Sequence, residues 1–306
     1  MKPDLIEKRN TVVTIGTFDG VHIGHQKIIE RLIEVGELKD LTPTILTFFP
    51  HPRMVLQKDA DIKLLNTLNE KEQILKQFGL ENLVVKKFTK AFSRLTAEEF
   101  VETILVKQLN VKHVIIGYDH HFGRNRTANI DDLRAFGKHY NFEVEEITAQ
   151  DINDVAVSST KIRTALTEGD IQTANSFLGY PFIISGNVVR GKGLGRTIDF
   201  PTANIKISEN YKLIPKQGVY VVKSIIDKET VFGMMNIGTN PTVNGKTETI
   251  EVHFFNFKKK IYNKTLTIEL LERLRDEEKF ESIDTLKQQL LKDKTNALQF
   301  ISNHAQ

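Results

Sequence analysis

The pattern of apolar residues changes once along this chain, close to Gly179–Pro181. Before this point, short runs rich in β-branched residues alternate with stretches in which apolar residues recur at helical spacing. That alternation predicts a Rossmann-like α/β fold with a doubly wound parallel sheet. After this point, strand-like runs follow one another between turn-rich links, which favours an antiparallel sheet. The change in pattern therefore predicts two domains, residues 1–182 and 183–306.

The predicted elements support this division. In the first half they are strands over Thr11–Ile15, Thr44–Phe48, Leu83–Val85 and His113–Ile116, a helix over Leu65–Phe78, and a helix opened by a capping box at Thr96 and Glu99. In the second half they are strands over Phe182–Val189, Val219–Ile226, Val231–Ile237, Thr247–Phe257 and Leu266–Leu271, and an amphipathic helix from Ile283 to Ile301. Five or more antiparallel strands with one closing helix favour a small barrel, since closure leaves no exposed edges.

Composition narrows the class of protein. A chain of 306 residues exceeds the usual size of a single core. It has no cysteine, which excludes disulfides and cysteine nucleophiles and suits a reducing compartment. The N-terminal residues lack an apolar signal region and no segment approaches membrane-spanning length, so we expect a cytoplasmic protein without a membrane partner. With 42 basic and 39 acidic residues, the net charge of +3 gives no indication of a nucleic-acid partner.

Two histidines lie where the first predicted strand gives way to a helix. Thr11–Ile15 runs into Gly16–His25, GTFDGVHIGH, and apolar residues at helical spacing follow from Ile28. A strand that turns through glycines into a helix N-terminus presents unpaired backbone N–H groups, where phosphates bind. His22 and His25 would add side-chain donors there. An isolated pair of this spacing also fits incidental loop polarity or a metal site, but no cysteine or neighbouring carboxylate pair completes a metal cage.

The same run resembles the signature of the cytidylyl- and adenylyltransferase superfamily. The resemblance implies that His22 and His25 are catalytic and contact the phosphates of ATP. The implied ATP-binding residues are Gly16, Phe18, Asp19, His22, His25 and Asp119. Such a transfer needs no covalent nucleophile, because an incoming phosphate oxygen attacks the α-phosphorus in line while the enzyme positions both partners.

A second run with phosphate-binding character is Val157–Arg163, VSSTKIR. By itself it is a good helix N-cap followed by a solvated basic face. Beside the histidines it resembles the second phosphate clamp of the superfamily. The resemblance implies that Ser159, Thr160 and Arg163 hold the triphosphate and that Arg163 takes part in catalysis.

Two runs that follow predicted strands indicate the acceptor of the adenylyl group. They are Phe48–Pro52, FFPHP, and Gly117–Arg124, GYDHHFGR, and ligands bind at the carboxyl ends of strands in such sheets. Ordinary packing also explains a pair of phenylalanines. The runs resemble those of bacterial FAD synthetases, although His120 and His121 depart from that pattern. The resemblance implies FMN as the acceptor, with contacts from Phe49, Pro50, His51, Pro52 and Asn129.

The second half carries its own phosphate-binding candidates. Gly186–Arg196 is rich in glycine and basic residues but lacks the Walker pattern, and a basic hairpin would have the same composition. In Asp199–Ile205, DFPTANI, the Thr202 hydroxyl and the Asn204 amide face the same side of an extended segment. Glu251 lies opposite the aliphatic stripe of its predicted strand, as either a catalytic base or a solvent-facing carboxylate.

Together these runs resemble the riboflavin kinase domain. The resemblance implies that Thr202 and Asn204 bind Mg²⁺ with ATP. It also implies that Glu251 is catalytic, taking the proton of the terminal ribityl hydroxyl, and that Glu251 and Arg275 contact riboflavin. The implied ATP-binding residues are Gly186, Gly191, Lys192, Gly193, Arg196, Thr202 and Asn204. Asp199 stands where that family more often has glycine.

We therefore expect a bifunctional enzyme of the bacterial riboflavin kinase/FMN adenylyltransferase family, with riboflavin, FMN and ATP as partners. The barrel would phosphorylate riboflavin to FMN, the sheet domain would convert FMN to FAD, and both steps would require Mg²⁺. One alternative is a nucleotidyltransferase with another phosphate acceptor and a barrel that only binds; Thr202, Asn204 and Glu251 argue against it. Another is a flavin- or RNA-binding regulator, which the balanced charge and the lack of an aromatic RNA-binding motif disfavour.

Overall fold

The computed structural model describes residues 9–57, 62–117, 121–148, 157–191, 193–242 and 245–304. These residues form two compact units. The first unit ends at Ser158 and leaves out Leu65–Thr67, which belong with the second unit from Ser159 onward. None of the helices in the described ranges combines the length and apolar character of a membrane-spanning segment.

Five parallel strands form the sheet of the first unit. They are β1 (Thr11–Ile15), β2 (Thr42–Phe49), β3 (Asn82–Lys87), β4 (Val111–Gly117) and β5 (Glu143–Ile147). Their order is β3-β2-β1-β4-β5, which reverses direction between β1 and β4, and ligands bind beyond the carboxyl ends of strands at such a point. β1 is fully buried, as its run of Thr, Val and Ile requires. The predicted fold class and the four predicted strands are confirmed, whereas the glutamate-rich strand β5 was not predicted.

Helices cover both faces of this sheet. They are α1 (Ile23–Lys39), α2 (Pro52–Leu56), α3 (Leu68–Gln77), α4 (Ala97–Phe100, continued by a π-helical stretch over Val101–Gln108) and α5 (Ile130–Tyr140). The predicted capping box at Thr96 and Glu99 is present. α3 begins at Leu68 rather than at Leu65, and the Leu65 carbonyl accepts a hydrogen bond from the Lys212 Nζ (2.6 Å).

Two helices, α6 (Ser159–Glu168) and α7 (Ile171–Leu178), open the second unit. Asn175 fixes α7 there, since its Nδ2 donates to the Leu270 carbonyl (2.9 Å) and its Oδ1 accepts from the Phe182 N–H (2.7 Å). The division between compact units therefore falls before α6, whereas the sequence places the domain boundary near residue 183. As a boundary between functional domains, residue 183 stays a prediction.

The rest of the second unit is a closed antiparallel barrel. Its strands are β6 (Phe182–Val189), β7 (Ala203–Lys206), β8 (Gly218–Ile226), β9 (Glu229–Thr242), β10 (Gly245–Phe254) and β11 (Thr265–Arg275), and its helices are α8 (Leu194–Thr197) and α9 (Ile283–His304). Around the barrel the order is β10-β7-β6-β11-β8-β9. On α9, Ala297 joins Val221 and Met234 in one buried cluster. The predicted barrel and its closing helix are confirmed.

Candidate active sites

The turn between β1 and α1 has a strained backbone. Phe18 and Val21 adopt φ values of 45° and 40°, and Gly20 between them has a φ of 88°. Positive φ is unfavourable for aromatic and β-branched residues, so the surroundings must hold this conformation. One restraint comes from α1, where the Gln26 Nε2 donates to the Val21 carbonyl at 2.9 Å. Strain of this kind concentrates at functional sites.

His22 and His25 lie at the end of this turn. Their rings are stacked, with centroids 3.7 Å apart and an interplanar angle of 17°. His22 is the N-cap residue of α1, but its side chain makes no capping hydrogen bond. The Nδ1 atoms of both rings are buried without a hydrogen-bond partner among the described residues. Two imidazoles at a helix N-terminus are suited to an anionic ligand, which agrees with the phosphate contacts expected from the sequence.

Burial keeps both histidines uncharged. It lowers the pKa of His22 to about 4, although the nearby Asp19 carboxylate opposes this shift. The pKa of His25 lies well below its ordinary value, chiefly because of burial and then because of His22 and the Lys71 ammonium. Each neutral ring has one N–H donor and one acceptor nitrogen. At neutral pH the pair can therefore donate hydrogen bonds to phosphate but adds no charge.

Lys71 is a site residue that the sequence analysis missed. It lies on α3, and both Lys71 and Asp19 are almost fully buried. The Lys71 Nζ donates to the Thr17 carbonyl at 2.6 Å, and the Thr47 Oγ1 donates to the same oxygen at 3.2 Å. Burial lowers the Lys71 pKa to about 8. In the sequence, the sign that Lys71 is buried is its position one helical turn before Ile74 and Leu75, on the same face of α3.

The FMN-contact candidates lie at the carboxyl end of β2. Phe49, Pro50, His51 and Pro52 are all half-buried. His51 is the N-cap residue of α2, and its Nδ1 accepts from the Arg53 N–H at 3.2 Å. Because β1 and β2 are parallel neighbours, these residues and the histidine turn lie at the same edge of the sheet. Phe48 packs edge to face against Phe88, which supports ordinary packing as the explanation for that ring.

The remaining adenylyl-transfer candidates belong to other elements or lie outside the described residues. Asn129 is the N-cap residue of α5, and its Oδ1 accepts from the N–H groups of Asp131 (2.9 Å) and Asp132 (3.2 Å). Asp119 lies outside the described residues. Ser159, Thr160 and Arg163 lie in the first turns of α6, in the second unit. The ligand contacts of all these residues stay predictions.

The barrel brings Thr202 and Glu251 together. The Thr202 Oγ1 donates to the Glu251 Oε2 at 2.8 Å, and Glu251 is half-buried rather than fully exposed to solvent. In the strand register, Glu251 lies beside Asn204 on β7 and beside Asn236 on β9. Cross-strand neighbours point to the same face. Asn236 therefore belongs to this group, although the sequence analysis assigned it no role.

The glycine-rich run approaches these residues at Gly191. A Cβ there would overlap the Asn204 side-chain amide, so a larger residue would force that side chain or the run to move. Gly186 is explained by strand pairing, because a Cβ would overlap Ile205 and Lys206. Arg196 donates to the Tyr262 hydroxyl at 2.5 Å, and Gly193 has a φ of 76°. Lys192 lies outside the described residues. ATP contacts by this run stay predictions.

Two further positions clarify the kinase candidates. Asp199 has a φ of 66°, in the left-handed region that favours glycine, which agrees with the expectation that glycine is common at this position. The Arg275 guanidinium is engaged by the buried Asp293 of α9, with an Nη2 to Oδ2 distance of 2.7 Å. Arg275 thus holds α9 on the barrel, and its contact with riboflavin stays a prediction.

The two units carry different phosphate chemistry: a histidine turn on a parallel sheet and a Thr–Glu pair on a barrel. Together they define a two-part nucleotidyl- and phosphoryl-transfer enzyme. The family model described as FAD synthetase matches residues 5–161, and the one described as riboflavin kinase matches residues 178–301.

Individual relatives agree over nearly the whole chain. The bifunctional riboflavin kinase/FMN adenylyltransferase of Bacillus subtilis is 39% identical over 97% of this chain and 94% of the relative. The corresponding protein of Escherichia coli K12 is 36% identical over 94% of this chain and 92% of the relative. A solved structure described as a macrolide-efflux protein from Streptococcus pneumoniae is 32% identical, covers 95% of each chain and gives a TM-score of 0.85. The chain belongs to the bifunctional riboflavin kinase/FMN adenylyltransferase family.

Proposed function

We propose that the two reactions of this family occur at the two clusters described above, the histidine turn after β1 and the Thr202–Glu251 pair of the barrel. The histidine turn would serve the adenylylation of FMN, and the Thr202–Glu251 pair would serve the phosphorylation of riboflavin. The observation that carries this assignment is the hydrogen bond between Thr202 and Glu251, because it joins a nucleophile-activating carboxylate to a predicted ATP-binding residue.

In the kinase reaction, Glu251 accepts the proton of the terminal ribityl hydroxyl. At the same time the oxygen of that hydroxyl bonds to the γ-phosphorus of ATP, and ADP leaves. Thr202 and Asn204 offer hydroxyl and amide oxygens, the hard donors that Mg²⁺ prefers, so these residues fit a magnesium ion carried in with ATP. When bound, the ion neutralises charge on the phosphates. Gly191 leaves room for the backbone of the glycine-rich run beside Asn204.

In the adenylyl transfer, a phosphate oxygen of FMN bonds to the α-phosphorus of ATP and pyrophosphate leaves. The neutral rings of His22 and His25 donate hydrogen bonds to the phosphates, and donors of this kind are worth about 3 kcal/mol each in transition-state stabilisation. Ser159, Thr160 and Arg163 supply the second clamp on the triphosphate. Phe49, Pro50, His51, Pro52 and Asn129 form the FMN side of the site, with Gly16, Phe18, Asp19 and Asp119 on the ATP side.

Incubation with riboflavin and Mg-ATP tests the whole assignment. Separation of the flavins over time should show FMN first and FAD later. FMN supplied directly should yield FAD without riboflavin. Omitting magnesium should stop both steps. Unchanged riboflavin would contradict the kinase assignment, and FMN that accumulates without FAD would contradict the adenylyltransferase assignment. The domain bounds 1–182 and 183–306 and the cytoplasmic location remain predictions.

A further inference from the structure

Lys71 is a buried cation that neither proposed reaction uses. The residue is 5% exposed. A lysine is rarely buried to this extent without a partner, because removing an ammonium ion from water is strongly unfavourable. Among the described residues, the hydrogen bond of its Nζ is to the Thr17 carbonyl. The Lys71 ammonium group therefore binds the backbone of the turn that precedes the histidines.

That turn is the strained part of the site. Phe18 and Val21 have positive φ values, and such residues persist only where the surroundings over-determine them. Thr17 lies directly before this stretch, and its carbonyl accepts from both Lys71 and Thr47. A charged donor makes a stronger and shorter bond than a neutral one. The bond from Lys71 is accordingly the shorter of the two.

We propose that Lys71 is a positioning residue for adenylyl transfer, which clamps the Thr17 carbonyl and so holds the strained turn that presents His22 and His25 to the nucleotide phosphates. The inference rests on adenylyl transfer at the histidine pair, as proposed above. Asp19 of the turn compensates the buried charge, and its field raises the Lys71 pKa against the effect of burial. The ammonium also lies close enough to His25 to lower the pKa of that ring.

If Lys71 positions the histidines, its loss should lower kcat for FAD formation rather than only the stability of the protein. Loosening the turn displaces the two histidine rings from the transition state, so kcat for FAD formation should fall. A displacement of about 1 Å is enough for a rate loss on the order of 100-fold. The FMN candidates at the end of β2 belong to β2 and α2 rather than to this turn, so we expect KM for FMN to change little.

Lys71→Met tests the inference, because methionine keeps the length of the side chain and removes its charge and donor. Lys76→Met is the matched control, since Lys76 is on the same helix and pairs with Glu72 at the surface. We expect Lys71→Met to lower kcat for FAD formation by about 10- to 100-fold, with KM for FMN within about twofold. Lys71→Arg, which keeps a charged donor, should recover a large part of kcat.

Two outcomes would overturn the proposal. One is a Lys71→Met protein whose kcat equals that of Lys76→Met. The other is a loss of kcat that Lys71→Arg does not relieve in any degree. If Lys71→Met does not fold, Lys71→Leu replaces it under the same criteria, because leucine also lacks both the charge and the donor. FAD formation by the unaltered protein is measured in parallel, and its absence would overturn the proposed function itself.

Discussion

The Thr202 hydroxyl donates a hydrogen bond to the Glu251 carboxylate at 2.8 Å. The two residues are 49 positions apart in the sequence. Thr202 directly precedes β7 and Glu251 lies on β10, and these two strands pair with each other in the barrel. If Thr202 binds the metal or a phosphate of ATP, as proposed, its hydroxyl would leave the Glu251 carboxylate, which could then accept the proton of the ribityl hydroxyl. Under the proposed kinase assignment, the pairing of β7 with β10 would place a nucleotide-binding residue next to the base that activates the nucleophile.

Replacing Glu251 with glutamine should stop FMN formation. Glu251→Gln preserves the shape of the side chain and an acceptor for Thr202 but removes the base. We expect kcat for riboflavin phosphorylation to fall by about 100-fold or more. Conversion of supplied FMN to FAD should continue at the original rate. Glu248→Gln, an exposed position on the same strand, is the control. A phosphorylation rate that survives Glu251→Gln would remove Glu251 from the mechanism.

Replacing His25 should produce the converse phenotype. His25→Ala removes a hydrogen-bond donor from the phosphate site and leaves His22 without its stacked neighbour. We expect FAD formation from FMN to fall by about 100-fold, the usual loss for one such donor. FMN formation from riboflavin should be unchanged. The exposed His139→Ala serves as the control in the same unit. Equal loss of both activities in His25→Ala would contradict two separate sites.

Local sequence patterns were sufficient for most of the fold. β1 and β6 have the predicted bounds residue for residue, because each is a run of strand-forming residues ended by clear turn signals. β5 was not predicted, since its EVEEI sequence resembles a solvated helix face as much as an edge strand. The predicted start of α3 at Leu65 was wrong, and the Leu65 carbonyl bonds to Lys212, which is distant along the chain. Such tertiary hydrogen bonds leave no local signal.

In the sites too, residues marked by a local sequence motif could be predicted, whereas residues brought in by tertiary contacts could not. His22 and His25 were found because their spacing and the surrounding glycines carry a phosphate-binding pattern within ten residues. Lys71 was not found, because its contact with the Thr17 carbonyl forms only when α3 packs against the turn after β1. Asn236 acquires its place beside Glu251 only through the register of β9 and β10. Residues that act through tertiary contact need the structure to reveal them.

The buried histidines should make the first unit less stable in mild acid. The pKa of His22 is lowered to about 4 in the folded protein, against 6.5 for the free side chain. The unfolded chain therefore binds a proton that the folded chain does not, and stability present above pH 6.5 is lost as the pH falls towards 4. At about 1.4 kcal/mol per pKa unit, His22 alone accounts for about 3 kcal/mol.

Urea denaturation at pH 7 and pH 5, with NMR titration of the imidazole rings, measures this effect. His22→Asn should reduce the pH dependence of the unfolding free energy, whereas the exposed His304→Asn should not. A His22 ring that titrates near pH 6.5 would show that burial does not control its protonation.

Adding a methyl group at Gly191 should weaken ATP binding at the kinase site alone. The new Cβ of Gly191→Ala would overlap the Asn204 amide, so either that side chain or the glycine-rich run must move. We expect KM for ATP in riboflavin phosphorylation to rise about tenfold, equivalent to about 1.4 kcal/mol. KM for ATP in FAD formation from FMN should not change, and both constants are measured on one preparation. Identical KM values in the variant and the original protein would place Asn204 outside the ATP site.

Asp293 should be the residue on which the attachment of α9 depends. It is 1% exposed, and its carboxylate accepts from the Arg275 Nε (2.9 Å), the Arg275 Nη2 (2.7 Å) and the Gln289 Nε2 (2.8 Å). Asp293→Asn removes the charge and leaves the guanidinium of Arg275 largely buried without its counterion. Breaking a buried pair in this way lowers the free energy of unfolding by about 3 kcal/mol.

Thermal unfolding of Asp293→Asn should therefore show a lower melting temperature for the second unit. Asp284→Asn is the control, because Asp284 is exposed in the first turn of α9, and its change should stay below about 1 kcal/mol. If Arg275 also contacts riboflavin, the Asp293→Asn protein should show a raised KM for riboflavin at temperatures where it remains folded. An unchanged KM together with the lower melting temperature would restrict Arg275 to holding α9 on the barrel.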